Sequence, residues 1–592
     1  IMKKFTMFSS VLASALMLTV ASCSSSDDTG GDAQTGNGTT SYLAVNLKTV
    51  GNAPTGNARQ TRYTDSQNGT YEDGVGVENK IKSVRFYFFN ADGTPYILNN
   101  VNDMGNYIDK VVNVNPGDQS QTVEGITETV LVLNGENHVA PASMLTVINP
   151  DINPELLQNG AALRWSVMRK ELKGTKFYDN DHFMMSNSTY EEAGNDVCTT
   201  QLTGKTYASS GDAEKNPVNV YVERVNAKVN ANVVGTNFEK ETADVIFDGV
   251  SMKDNQKTKV GVLSLAKEDG TTDQKDIFAY IVGWGLASEN GKAELFKQID
   301  TQKFTDEILG ISPWSSADYH RSFWSLSVPF GGTGADKNEP VNHKFSEYTH
   351  KLGEAVYTLP NTPTEAIDEA HIYDNTLTKF VVAARLAYKD ADNSLKPAEI
   401  CEYKGQEFLG TDNLKKTFLK EISRYYKKVP VVAGEPDKYV NLDPSDITFT
   451  TTAPSGTQAK DYEVFATLAN PNLTLYEQKG GVWNEVTDKS VVYNMLQGTP
   501  AEVRKDGMAY YYTTIKHLGE KGKLGEYGIV RNHSYQISLN SIKGFGTPVY
   551  NPEKIIVPAI PSNDKTYLAA KINVLSWRVV PSTVDLDKTE KK

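Results

Sequence analysis

The chain has 592 residues, 39% of them hydrophobic and 22% charged, with 30 Tyr. That length exceeds one ordinary core and predicts two or more domains, while the many Tyr among short Val/Ile/Thr-rich runs favour β structure. A formal net charge of -13 excludes a nucleic-acid partner from the expectations, because phosphate binding needs basic surface.

Met2, Lys3 and Lys4 open the chain with positive charge, and the apolar stretch FTMFSSVLASALMLTVAS follows. This predicts a secretory signal peptide over residues 1–22, too short and wrongly flanked for a membrane span. Val20–Cys23 reads VASC and resembles the lipobox of bacterial lipoproteins, in which the Cys becomes the acylated (palmitate-bearing) first residue. Cys23 is therefore the predicted lipidation site; the alternative is an ordinary secreted chain with a Cys at that place. The polar run after it reads as a flexible tether. Cys198 and Cys401 then remain, too few for a disulfide framework, and whether they pair is left open.

Ser41–Val50 alternates, with Leu43, Val45 and Leu47 on one face, as a strand does. A turn-rich loop containing Arg59 and Arg62 comes next. Further strands are predicted at Ile81–Asn90, Thr127–Gly135, Val218–Gly235, Lys379–Lys389, Ala509–Leu518 and Ser534–Gly546. Helical spacing marks Asn153–Leu172 and, most clearly, Thr411–Lys428, where Leu414, Phe418, Ile422 and Tyr425 share a face. Many short strands, few helices and long polar connections predict a mainly β chain of two β-sandwich domains, 60–240 and 241–550. Residues 551–592 form a Pro-containing linker and a last strand. In that strand Leu568, Ala570, Ile572 and Val574 alternate with Ala569, Lys571 and Asn573, and Trp577 with Val579 continue the apolar set after a shift at Leu575/Ser576 that predicts a bulge.

Motifs for catalysis are missing. There is no H-E-x-x-H, G-x-S-x-G or Walker loop; the Gly-rich Gly331–Lys337 reads as a surface turn, and Glu191/Glu192 as a solvated face. Tyr178–His182 offers oxygens to a cation but lacks the spacing of a helix-loop-helix calcium site. No cofactor and no metal are expected. A hydrolase assembled from distant residues and a monomeric lipoprotein binding glycan or host protein through exposed Tyr or Trp stay open as alternatives.

Several stretches together, VYVERVNAKV, VVAARLAYK, YYYTTIKHL, GIVRNHSYQISLNSIKGFGTP and LAAKINVLSWRVV, resemble the fimbrillins of type V pili of anaerobic Gram-negative bacteria, nearest the shaft subunit of the short, minor fimbriae. The resemblance implies two transthyretin-like β-sandwich domains and a non-enzymatic pilus subunit that supports adhesion and biofilm formation. It also implies an assembly route. The lipidated precursor reaches the outer membrane, an Arg-specific protease cuts after Arg59 or Arg62, and residues 23–59 leave with the strand carrying Leu43, Val45 and Leu47. A neighbour's terminal strand, with Leu568, Ala570, Ile572, Val574, Trp577 and Val579, then fills the groove. Implied partners are further copies of the chain, tip and anchor subunits, the protease and host or bacterial surface ligands. The alternative for residues 567–580 is pairing within their own domain.

Overall fold

The structure is a computed structural model that describes residues 39–49, 70–71, 74, 76–99, 104–111, 129–135, 139–158, 163–247, 249–266, 271–311, 313–457, 459–558, 567–575 and 578–582. It is mainly β, as the composition predicts. A ten-stranded mixed sheet dominates the N-terminal part. Its order is Met104–Gly105, Leu98–Asn99, Thr129–Gly135, Thr39–Thr49, Val218–Arg224, Met185–Asn187, Ser143–Ile148, Ser83–Phe89 and Tyr107–Val111, with Thr200–Gln201 beside Ser143–Ile148.

Both faces of this sheet are covered, which explains why SVRFYFF is almost continuously apolar. Phe86 and Phe88 point into one core with Leu43, Val45, Leu131 and Val220. Tyr87 and Phe89 point into the other, with Leu145, Met168 and Cys198. A period of two buries one face; two covered faces require apolar residues at both parities.

The run Val218–Gly235, read from sequence as one stretch, divides. Val218–Arg224 belongs to the ten-stranded sheet, and Ala227–Val233 to a second sheet of six strands. That second sheet runs Thr70–Tyr71, Arg578–Ser582, Tyr567–Leu575, Ser534–Lys543, Ala227–Val233, Ala355–Thr358. It faces a seven-stranded sheet built around Thr272–Ala287, Lys379–Lys389 and Met508–Thr514. Val229, Trp284, Val382, Tyr511, Ile537 and Ala570 fill the space between.

Between Lys379–Lys389 and Met508–Thr514, which are neighbours in that sheet, the chain makes a long excursion. It builds a further core from Cys401, Leu414, Phe418, Val464, Leu475 and Leu496 under two further sheets. The helix predicted over 411–428 stops at Glu421, because Tyr425 starts a strand, Tyr425–Val429, that carries its buried ring into the same core from another direction. The helical stretch 153–172 is two short helices, Pro154–Gln158 and Trp165–Glu171.

Candidate functional site

The first strand, Thr39–Thr49, lies in the middle of the ten-stranded sheet and uses both of its edges. It runs antiparallel to Thr129–Gly135, from Thr39 opposite Gly135 to Val45 opposite Thr129. On its other side it runs parallel to Val218–Arg224, from Val45 opposite Val218 to Thr49 opposite Val222. Leu43 and Val45 are 0% exposed and Leu47 3%. Ala44, on the opposite face, is also fully buried, and the short helix Ser210–Lys215 packs over the strand. Tyr42 and Tyr207 exchange backbone hydrogen bonds of 2.8 and 2.9 Å.

The predicted set Leu43, Val45, Leu47 is thus one apolar row in the core, with its two ladders closed. Withdrawing such a strand leaves two rows of unpaired N–H and C=O groups above an apolar floor, a template for another strand. Cys23, Arg59 and Arg62 lie outside the described residues.

At the other end of the chain, Tyr567–Leu575 pairs antiparallel with Ser534–Lys543 of the same chain. Leu568 stands opposite Ile542, Ala570 opposite Leu539, Ile572 opposite Ile537 and Val574 opposite Tyr535. Ala570 is buried in the sandwich core. The register shift falls on the partner, between Leu539 and Ser541.

Residues 567–580 do not form the single run expected. Arg578–Ser582 folds back on Tyr567–Leu575 with Val574 opposite Val580, and Thr70–Tyr71 caps the outside with Thr70 opposite Val579. Val579 therefore sits on the second arm, and Trp577 lies outside the described residues. In the single chain the terminal strand takes the self-paired alternative: its own sheet edge is covalently close, and the first strand fills the groove in the other sheet.

The strand beside the groove is held by a buried polar network that sequence reading missed. The Lys297 ammonium donates to the Glu223 carboxylate at 2.8 Å and to the Ser322 carbonyl at 3.1 Å. Both charged side chains are 1% exposed, and burial pushes Lys297 down to about 8 against the pull of Glu223. Arg531 reaches across with N–H bonds to Ser186 Oγ (3.2 Å), Leu295 O (3.0 Å) and Glu294 O (3.2 Å).

Arg224 donates to Glu78 O at 2.6 Å and to Asn532 Oδ1 at 3.2 Å. Glu78 itself takes Lys228 at 2.7 Å and the Tyr357 hydroxyl at 2.7 Å. Residues 223 and 224 end the strand flanking the first one, so these bonds tie the wall of the groove to the second sheet. The only signal in the sequence is charge inside otherwise apolar strand runs, which does not say whether it is buried.

Other candidates resolve into structural roles. In Tyr178–His182 the Asp179 carboxylate accepts the backbone N–H groups of Asp181 and His182 at 2.8 and 2.9 Å. Asp181 is ion-paired with Lys80 and, at 2.7 Å, with Lys82, which holds its carboxyl down at about 2. The chain's own cations and amides occupy these oxygens. Among the described residues no group of three or more His, Cys, Asp or Glu is placed to hold a metal. Gly331 and Asn338 exchange backbone bonds of 2.8 Å and close the Gly-rich turn. Cys198 and Cys401 are free, buried in separate cores.

One family model matches the C-terminal region of the chain. Residues 504–582 match the family described as Major fimbrial subunit protein type IV, Fimbrillin, C-terminal; they include the Ser534–Lys543 strand and the terminal hairpin. Among solved structures, a fimbrilin from Porphyromonas gingivalis is 12% identical, covering 91% of this chain and 98% of that one, with a TM-score of 0.32. The tip fimbrial protein Mfa3 from the same species, with a C-terminal truncation, is 10% identical, covering 90% and 99%, with a TM-score of 0.29. A putative cell adhesion protein from Parabacteroides distasonis is 10% identical, covering 92% and 99%, with a TM-score of 0.35. No curated protein matches the chain. The family match over residues 504–582 is to the fimbrillins, the family that the sequence resembles.

Proposed function

We propose that the chain is the structural subunit of a pilus shaft, exported as a lipoprotein precursor, cut at Arg59 or Arg62 and polymerised by inserting its terminal strand into a neighbour. The observation that carries this reading is the placement of the first strand. It is a central strand with its apolar row buried, and the loop with Arg59 and Arg62 that follows it in the sequence offers a cut that would separate it from the rest of the sheet. While in place it blocks strand addition, so the precursor is monomeric. After it leaves, the vacated groove accepts an extended segment of matching period. Lipid at Cys23 holds the precursor at the outer membrane, and the assembled fibre projects from the cell surface, where it meets tip and anchor subunits and surface ligands and supports adhesion and biofilm formation.

The test is electron microscopy and unboiled denaturing electrophoresis of the purified precursor before and after limited Arg-specific proteolysis, beside a chain truncated after Asn551. Filaments and ladders that need cleavage and vanish on truncation support the reading. Monodisperse monomers after cleavage confirmed by mass would overturn it and favour a monomeric binding protein.

A further inference from the structure

The two terminal strands share a sequence. Tyr42-Leu43-Ala44-Val45-Asn46-Leu47 and Tyr567-Leu568-Ala569-Ala570-Lys571-Ile572 begin with the same three residues and keep the same parity of apolar positions. We infer that the terminal strand of one copy enters the groove of a second copy in the direction and register of the first strand, Leu568 taking the seat of Leu43, Ala569 of Ala44, Ala570 of Val45 and Ile572 of Leu47. This inference rests on the assembly reading above and adds the alignment that recognition requires.

The seat of Ala44 decides the register. The Leu43, Val45, Leu47 row and Ala44 are fully or almost fully buried on opposite faces of the strand, the row in the apolar core. A replacement strand must therefore present a large apolar row on one side and a small residue at one position on the other. The offset that pairs Tyr42 with Tyr567 meets both demands.

Sliding two residues one way brings Lys571 into the seat of Ala44 and shrinks Leu43 to Ala570. Sliding two the other way brings Tyr567 into the Ala44 seat. A slide of one exchanges the faces and drives Lys571 into the seat of Val45 in the core. A strand running in the opposite direction with Ala569 over Ala44 sets Leu568 against Val45 and Thr566 against Leu47, overfilling one seat and losing the other.

In the chosen register Lys571 falls at Asn46, a half-buried position opposite the exposed Asn219, where its long stem follows the surface and its ammonium reaches water. The only apolar volume lost is at Val45, where Ala570 stands.

Cysteine pairs read the register directly. Asn46 stands opposite Asn219 in the parallel ladder, so in the assembled fibre Lys571 of one copy stands opposite Asn219 of the next. Full-length chains carrying Asn219→Cys together with Lys571→Cys, Asn573→Cys or Tyr567→Cys are cleaved, assembled and mildly oxidised, then separated under denaturing, boiled, non-reducing conditions. The expected result is a covalent ladder for the Lys571 pair, at least tenfold stronger than for the other two. A dominant ladder from Asn573 shows the slid register, and one from Tyr567 the reversed strand; either overturns the inference. Filaments with no ladder from any pair overturn it as well, while leaving strand donation elsewhere in the molecule intact. If the parent chain, with none of these substitutions, gives only monomers after confirmed cleavage, the assembly reading fails first and the register falls with it. Ala569→Leu supplies a second reading: it is expected to slow assembly at least tenfold without changing the yield of folded precursor, and unchanged assembly contradicts the tight Ala44 seat.

Discussion

Replacing Leu43 with Ala is expected to speed the departure of the first strand once the loop behind it is cut. Leu43 is fully buried, opposite Leu131 and in the core with Phe86 and Val220. Truncating such a Leu costs about 2–5 kcal/mol, from lost transfer energy and the cavity left behind. At 1.4 kcal/mol per tenfold, the equilibrium for leaving shifts by roughly 30-fold to several thousand-fold. The substitution travels with the departing segment, so the emptied groove is identical in both proteins and the whole difference lies in the seated state.

Asn46→Ala is the contrast, because the Asn46 Oδ1 atom is buried with no hydrogen-bond partner among the described residues, and removing it is expected to retard departure or leave it unchanged. Cleaved samples, matched by mass, would be followed by size exclusion for the free N-terminal peptide. Equal release from wild type, Leu43→Ala and Asn46→Ala would refute the argument that burial of the apolar row retains the strand.

Lys297→Met is expected to cost about 3 kcal/mol or more in urea unfolding, since it strands the buried Glu223 carboxylate with less compensation. The same lysine makes stability pH-dependent. Its folded value near 8 lies below the unfolded 10.5, so between those limits the unfolded chain holds the extra proton and stability rises with pH. Urea midpoints from pH 7.5 to 10 should climb in wild type and climb less in Lys297→Met; an identical slope would remove Lys297 as the cause.

Gly283→Ala is expected to lower the melting temperature sharply, because the added Cβ lies 2.0 Å from the Tyr348 carbonyl oxygen at a register shift in Thr272–Ala287. Gly211→Ala, whose Cβ meets nothing within 4 Å, serves as the control and should change little. Cys198 and Cys401 are buried, which pushes both thiols up; they are expected to resist thiol reagents in the folded chain and to react in urea, and labelling of either without denaturant would contradict the packing of its core.

Much of the fold was legible wherever one physical signal dominated. KFVVAARLAYK was read as a strand and is the strand Lys379–Lys389; Leu43, Val45 and Leu47 were read as one buried face and are one. The sixteen-residue Thr272–Ala287 was missed because its first residues are mostly polar and its second half is buried at nearly every position, so no single period runs through it. The core within residues 401–503 went unseen because its strands are short and its apolar residues are divided among two small sheets and two helices.

Sequence by itself determined that a period-two apolar strand stands near each end of this chain, and that the loop after the first is polar and turn-rich with two arginines. Side-chain alternation reports which face is buried, and it does so locally. Only the tertiary structure decided the neighbours: that the first strand lies parallel to Val218–Arg224 in the centre of a sheet, that the terminal strand turns back as a hairpin on Ser534–Lys543, and that Glu223, Lys297 and Arg531 meet in the dark beside the groove. Backbone N–H and C=O groups are the same in every strand, so pairing is chosen by the packing of the whole chain, and that Ala44 is buried opposite the apolar row is seen only in the folded sheet.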